Sequence, residues 1–108
     1  MIYEVEVSQQ ADRDLRGIFE YIAFELQSPK NACGQLDRLE KQILSLNTMP
    51  ERYRRYEKEP WKSRGLRVLP VDNYVVLYIP DCDKKVVTIL RVMYARRDMD
   101  HQLNLYTK

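Results

Sequence analysis

The order of apolar and polar residues changes character along this chain and predicts a strand, then two helices, then further strands. Residues 2–7 alternate with a period of two, and Tyr3, Val5 and Val7 share one side, which is typical of a strand with one buried face. Ser8 follows, and its side-chain oxygen can accept a hydrogen bond from the first turn of a helix. We therefore expect a helix to begin directly after this serine.

Helical spacing of apolar residues predicts a first helix of about five turns. Its apolar positions are Ala11, Leu15, Ile18, Phe19, Ile22 and Leu26. The charged residues expected on its outer face are Asp12, Arg13, Asp14 and Arg16. Ser28 and Pro29 predict the end of this helix and the start of a second one, because serine can cap a helix and proline is tolerated at the first helical position.

The second helix carries a stripe of apolar residues at steps of three and four. The stripe consists of Ala32, Leu36, Leu39, Ile43 and Leu46. Met49 and Pro50 are expected to end the helix. Because the stripe spans only about two heptads, it favours an antiparallel helical hairpin packed on a sheet over a dimerising coiled coil.

The last third of the chain is rich in strand signals. A short apolar segment precedes Asp72-Asn73, a pair that tolerates the left-handed backbone of a tight hairpin turn. Residues 74–79 and 86–93 are nearly all apolar, which predicts strands buried on both faces. We expect Pro80 to end the first of these strands and residues 81–85 to form the turn between them.

These elements predict one α+β domain over residues 1–108, with an N-terminal strand and a two-helix hairpin packed on a mostly antiparallel four-stranded sheet. The chain has 108 residues and a hydrophobic content of 44%, enough for one core and too little for two. Two separated cysteines, Cys33 and Cys82, argue against a disulfide scaffold and suit a reducing cytoplasm. The single histidine, His101, belongs to no metal-ligand pattern, and we expect no metal or other cofactor. We also expect no signal peptide and no membrane span, because the longest apolar run has only the length of a strand.

Charge is distributed unevenly between the two halves of the chain. Residues 1–50 hold five Lys or Arg and eight Asp or Glu, a net charge of −3, whereas residues 51–108 hold thirteen and eight, a net charge of +5. The basic residues of the connector after the second helix are Arg52, Arg54, Arg55, Lys58, Lys62, Arg64 and Arg67. Together with Tyr53, Tyr56 and Trp61 they are typical of a single-stranded RNA surface, since cations neutralise phosphates and aromatic rings stack on bases. The alternative is a connector whose aromatic rings close over the core, and for Trp61 we expect such packing.

The segment from Gly65 to Asp98 resembles the RelE/ParE family of bacterial toxins. The resemblance rests on G-L-R-V-L-P-V-D-N-Y-V-V-L-Y before the last turn and V-V-T-I-L-R-V-M-Y-A-R-R-D after it. It implies a growth-arresting toxin of a type II toxin–antitoxin pair, held inactive in the cytoplasm by a cognate antitoxin. Two matching residues also have a structural interpretation: Tyr78 as core, and Arg91 as partner of a carboxylate, for which Asp98 is a candidate.

RNA cleavage through the 2′-hydroxyl requires proton transfer and cations that stabilise the charge at phosphorus. We predict that Arg67, Arg96 and Arg97 bind the phosphate and that the Tyr94 hydroxyl transfers or orients a proton. The predicted RNA-binding residues are Arg52, Arg54, Arg55, Lys58, Lys62 and Arg64. The favoured function is ribosome-dependent cleavage of mRNA, with the ribosome and mRNA as partners.

An alternative function follows from the same resemblance. RNA-cleaving members present lysines and arginines on a concave sheet face, including an arginine where this chain has Val75 or Val76. ParE-type members instead arrest growth by poisoning DNA gyrase and need no nuclease site. The sequence leaves both functions open.

Overall fold

Two helices lie on one face of a five-stranded sheet in the computed structural model, which describes residues 2–95. In chain order the elements are β1 (Glu4–Val7), α1 (Gln9–Glu20), α2 (Pro29–Leu44), β2 (Arg54–Arg55), β3 (Arg67–Val71), β4 (Tyr74–Asp81) and β5 (Val86–Tyr94). The strands are ordered β1-β5-β4-β3-β2. β1 runs parallel to β5, and all other neighbours are antiparallel. This confirms the predicted α+β class.

The predicted strand count was too low by one. The additional strand, β2, has two residues and pairs Arg54 with Val68 and Arg55 with Arg67 at the edge of the sheet. Two residues are too few to show a periodicity, so the sequence pattern could not reveal this strand.

The helix boundaries follow the predicted signals with three differences. Ser8 caps α1 as expected, because its Oγ accepts a hydrogen bond of 3.0 Å from the backbone N–H of Ala11. α1 then continues through one wider, π-helical turn, Tyr21–Glu25. Ser28 precedes Pro29 at the start of α2, but its side chain makes no capping hydrogen bond. α2 gives way to a 3₁₀ turn, Ser45–Asn47, and so ends before the predicted Met49-Pro50.

The last two strands are longer than predicted. Asp72 adopts φ 55° in the turn between β3 and β4, as its left-handed tolerance suggested. The prediction that Pro80 ends its strand was wrong, since β4 continues to Asp81. β3 begins at Arg67, opposite Tyr78, so Pro80 lies where β4 has a neighbour on one side only. A missing N–H is tolerated at such an unpaired edge.

The sheet buries both of its faces, which explains the continuous apolar runs of β4 and β5. The face toward the helices packs in one cluster that contains Tyr3, Ala11, Leu39, Ile43, Leu46, Leu69, Val71, Val76, Tyr78, Val87, Ile89 and Val92. The opposite face carries Val68, Val75, Leu77 and Met93, which pack under Tyr56, Trp61 and Leu66. We call residues 56–66, which supply those last three side chains, the cover segment. Trp61 is only 2% exposed, and this confirms its packing interpretation.

β1 is less buried than its alternation suggested. Tyr3 belongs to the core, but Val7 is 44% exposed at the end of the strand. Within residues 2–95, no helix combines the length and apolar character needed to cross a bilayer. The same residues contain no group of His, Cys, Asp and Glu that could hold a metal ion.

Candidate functional site

Arg67 and Tyr78, which both match the family pattern, lie directly opposite each other on β3 and β4. Nη1 of Arg67 donates hydrogen bonds of 2.9 and 2.8 Å to the carbonyl oxygens of Glu51 and Tyr53. The buried Tyr78 hydroxyl donates a bond of 2.5 Å to the carbonyl oxygen of Pro50, and burial raises its pKa to about 12. Both side chains therefore hold the backbone of residues 50–53 against the sheet, and the core interpretation of Tyr78 is confirmed.

Two of the six predicted RNA-binding residues also contact the fold itself. Arg52 donates to the carbonyl oxygens of Thr48 and Met49 at 2.5 and 3.1 Å, and its guanidinium lies 4.7 Å from the Tyr53 ring centre. The Arg64 guanidinium lies 4.5 Å from the centre of the Trp61 ring. Such cation–π contacts cover the aromatic rings from water.

The other four predicted RNA-binding residues are exposed. They are Arg54, Arg55, Lys58 and Lys62. We call these four the basic edge, because the first two form the edge strand β2 and the others follow in the cover segment. Their cations face solvent and are available to an anionic partner.

Arg91 binds Asp14, a residue whose position the sequence analysis predicted wrongly. Its Nε and Nη2 donate to the carboxylate of Asp14 at 2.7 and 3.1 Å, and the backbone N–H of Val92 donates to the same carboxylate at 3.0 Å. Asp14 was expected on the outer face of the first helix, but its side chain is only 12% exposed. Its spacing from Ala11 and Ile18, three and four residues along the helix, is the signal that places it on the buried side.

A β-bulge explains how a mid-strand arginine reaches a helix. Leu77 is opposite Arg91 whereas the next residue, Tyr78, is opposite Ile89, so Leu90 is an extra residue in β5. A bulge redirects the side chains beside it. Arg91 consequently meets α1, and the carboxylate interpretation is confirmed with Asp14 as the partner.

Tyr94 lies at the end of β5, 36% exposed, in edge-to-face contact with Tyr74 at a centroid distance of 5.7 Å. Burial, followed by the proximity of Tyr94 and Tyr21, raises the pKa of the Tyr74 hydroxyl. The three tyrosines line an open cleft of about 690 Å³ between α1 and the open end of the β4–β5 hairpin, away from its turn. We call it the tyrosine cleft. Arg13 and Gly17 line the same cleft from α1.

Arg96 and Arg97, the other predicted catalytic residues, lie outside the described residues, as do Asp98 and His101. Their roles stay predictions. Cys33 and Cys82 are free, exposed thiols. Cys82 donates a hydrogen bond of 2.7 Å to Glu51 at the end of the sheet opposite the tyrosine cleft.

Comparisons with known proteins give one family and several structural relatives. The family model described as ParE toxin of type II toxin–antitoxin system, parDE, matches residues 5–99. No curated protein matches the sequence. A chromosomal ParDE toxin–antitoxin structure from P. aeruginosa is similar, with a TM-score of 0.73 and 18% identity over 88% of this chain and 98% of that chain.

Two further solved structures share the fold. The toxin–antitoxin complex RelBE2 from Mycobacterium tuberculosis has a TM-score of 0.65 and 23% identity over 87% of this chain and 99% of that chain. A mutant of the E. coli toxin RelE in the free state has a TM-score of 0.67 and 14% identity over 94% of this chain and 93% of that chain.

Proposed function

This chain belongs to the ParE toxin family of type II toxin–antitoxin systems, and on that premise we propose that it arrests bacterial growth by inhibiting DNA gyrase. A cognate antitoxin holds it inactive, and its place of action is the cytoplasm. Toxin–antitoxin complexes among the structural relatives support the antitoxin as a partner.

The observation that supports gyrase over RNA is the chemistry of the sheet face opposite the helices. RNA-cleaving relatives would present lysines and arginines there, as the resemblance implies. In this chain the face carries Val68, Val75 and Leu77, and the cover segment packs over it with Trp61. An apolar, covered surface offers no cation to a phosphate whose negative charge grows during cleavage.

The hydrogen bonds of Arg67 also favour gyrase inhibition over RNA cleavage. This predicted catalytic residue lies at the start of β3, and its Nη1 donates hydrogen bonds to two backbone carbonyls. A guanidinium engaged in this way stabilises the fold and has less freedom to follow a reacting phosphate. Inhibition of a protein target requires only a binding surface.

Cleavage of mRNA on the ribosome is the second candidate function, and the basic edge is the observation that favours it. Its four exposed cations, Arg54, Arg55, Lys58 and Lys62, are the kind of surface that tracks a nucleic-acid backbone. In that function Arg96 and Arg97 would bind the scissile phosphate, and Tyr94 would orient a proton.

Two parallel assays with the purified protein decide between the candidates. We expect the protein to inhibit supercoiling of relaxed plasmid by gyrase, with double-strand breaks, and to leave mRNA intact in a translating extract. Premixing with the antitoxin is the control and should abolish the effect. Message cut in the ribosomal A site, with supercoiling unaffected, would establish the second candidate instead. If neither assay responds, both targets are wrong.

A further inference from the structure

The four cations of the basic edge have no partner within residues 2–95. No ion pair or side-chain hydrogen bond there engages Arg54, Arg55, Lys58 or Lys62. Residues 52–64 hold six Lys or Arg and two Glu, a net charge of +4. Of the two carboxylates, that of Glu59 accepts hydrogen bonds from the hydroxyl and the backbone N–H of Ser63, and these bonds lower its pKa. The excess of positive charge is therefore open to an anionic partner.

Strand pairing shows on which side of the sheet these cations lie. Arg54 pairs with Val68, whose side chain packs on the face opposite the helices. Paired residues of antiparallel strands share a face, so Arg54 lies on that side, where the cover segment also packs. The backbone N–H of Lys62 donates to the carbonyl oxygen of Lys58 at 2.9 Å, so the two lysines lie at the ends of one turn of that segment. Three of the four cations thus belong to the side of the sheet away from the helices.

The two edges of the sheet carry opposite charges. β1 and β2 are the edge strands. β1 carries the exposed Glu4 and Glu6, whereas β2 consists of Arg54 and Arg55. The helices add to the acidic side, since three acidic residues and one arginine line a groove of about 330 Å³ between them. Such a charge distribution turns the basic edge toward an anionic surface and the acidic side away from it.

The aromatic rings near the basic edge are not available to unpaired bases. Tyr56 and Trp61 are 6% and 2% exposed, and the Arg64 guanidinium lies 4.5 Å from the Trp61 ring centre. Tyr53 packs against the core on the helix side, and the Arg52 guanidinium lies 4.7 Å from its ring centre. Proteins bind single-stranded nucleic acid by stacking its bases on such rings. The basic edge can contact phosphates without stacking on bases, which favours a duplex over a single strand.

We propose that the basic edge binds the phosphate backbone of duplex DNA, next to the segment that gyrase holds. A DNA duplex carries one negative charge per about 1.7 Å of its axis, so cations along an edge strand and the following turn meet phosphates in any sequence. Phosphate contacts of this kind position a protein on DNA and do not read its sequence. The proposal rests on the proposed function, because inhibition of gyrase with double-strand breaks requires a gyrase–DNA complex.

Binding to a short labelled DNA duplex, measured by fluorescence anisotropy, tests the contact without gyrase. With four cations on phosphates, the association constant should fall with salt at a logarithmic slope of about −3.6, which is about 0.9 for each phosphate. Lys58→Ala/Lys62→Ala should raise the Kd at least tenfold and reduce this slope by about half. The matched control, Lys30→Ala/Lys41→Ala, removes the same charge from exposed positions of α2 and should change neither quantity. Thermal melting verifies that both variants are folded.

Competition with other nucleic acids tests the choice of ligand. Unlabelled duplex DNA should displace the probe, and single-stranded RNA of the same length should compete at least tenfold less well, because the basic edge offers no ring for stacking. The proposal is overturned if the duplex does not bind, or if single-stranded or duplex RNA binds more tightly than duplex DNA. It is also overturned if Lys58→Ala/Lys62→Ala binds like the wild type, or if the control variant loses as much affinity.

Gyrase assays separate this proposal from the proposed function. In supercoiling of relaxed plasmid, Lys58→Ala/Lys62→Ala should require at least fivefold more protein than the wild type for half-maximal inhibition, and the control variant should inhibit like the wild type. Equal inhibition by the variant, despite its lost DNA binding, would overturn the contact at gyrase and leave gyrase inhibition intact. A wild type that binds duplex DNA through the basic edge but leaves supercoiling unaffected would contradict gyrase inhibition and leave the DNA-binding surface intact.

Discussion

Arg91 of β5 and Asp14 of α1 form a two-point ion pair although 77 positions separate them in the chain. Arg91 is 6% exposed, and the same carboxylate also accepts the N–H of Val92. Removing one member of a buried pair leaves the other charge without compensation. This ion pair connects α1 to β5.

We therefore expect Asp14→Ala to lower the free energy of unfolding by about 3 kcal/mol. The matched control is Asp12→Ala, two positions away, which removes an exposed pair with Arg16 at 3.2 Å and should cost only about 0.3 kcal/mol. Urea denaturation measures both changes. Equal losses for the two variants would show that the buried pair has no special weight.

Arg67→Ala distinguishes a structural arginine from a catalytic one. Loss of its two bonds to backbone carbonyls should destabilise the fold by about 1 to 3 kcal/mol, because hydrogen bonds to charged groups are stronger than neutral ones. Toxicity should persist at temperatures where the variant is folded. Arg55→Ala, directly opposite on β2 and exposed, is the control and should leave stability nearly unchanged. An Arg67→Ala variant that is stable but harmless would instead support a catalytic role.

Tyr78→Phe removes the hydroxyl bond to Pro50 and should cost about 1 kcal/mol near neutral pH. The cost should also depend on pH. Burial raises the pKa of Tyr78 from 10.0 to about 12, so the folded state keeps its proton while the unfolded state loses it. The stabilising contribution is fully present below pH 10 and is lost as the pH rises through 12.

The difference in stability between the wild type and Tyr78→Phe should consequently shrink from pH 10 to 12, as measured by urea denaturation across that range. Tyr21→Phe, at an exposed position, serves as the control for the loss of a tyrosine hydroxyl. A constant difference would mean that the hydroxyl does not experience burial in solution.

Arg96→Ala and Arg97→Ala test the basic end of the chain. If these two arginines bind RNA, as predicted, and make no contact within the fold, melting temperatures should be unchanged, because an arginine in solvent contributes little to folding. If mRNA is the target, a lost contact to the transition-state phosphate should slow cleavage about a hundredfold or more. Tyr94→Phe should then slow cleavage without weakening RNA affinity. Full toxicity in all three variants would exclude a nuclease site at these residues.

Much of this fold could be predicted because local rules and the tertiary structure agree. Ser8 acts as the cap that its position suggested, and Asp72 takes the left-handed turn. Trp61 packs as an aromatic residue of a connector would. For Ser8 and Asp72 the preference of a few neighbouring residues decided the structure.

The errors arose where distant residues decide. Asp14 is charged, and its burial depends on an arginine that a bulge directs toward it from β5. β2 exists because β3 offers it an edge, and its own two residues carry no signal. The engagement of Arg67 by the carbonyl oxygens of Glu51 and Tyr53 depends likewise on how the connector folds back.

The parallel pairing of β1 with β5 has a consequence for synthesis of the protein. Glu4 pairs with Val86, 82 positions later, so β1 leaves the ribosome long before its partner exists. At translation rates of 5 to 20 residues per second, the delay is about 4 to 16 s. During this interval the charges of Glu4 and Glu6 discourage the unpaired strand from joining another sheet. The two helices and the β3–β4 hairpin can form from local contacts, but the sheet closes only after translation has passed Ile89. A partially synthesised chain therefore lacks the completed sheet. The folded protein exists only after β5 has been synthesised.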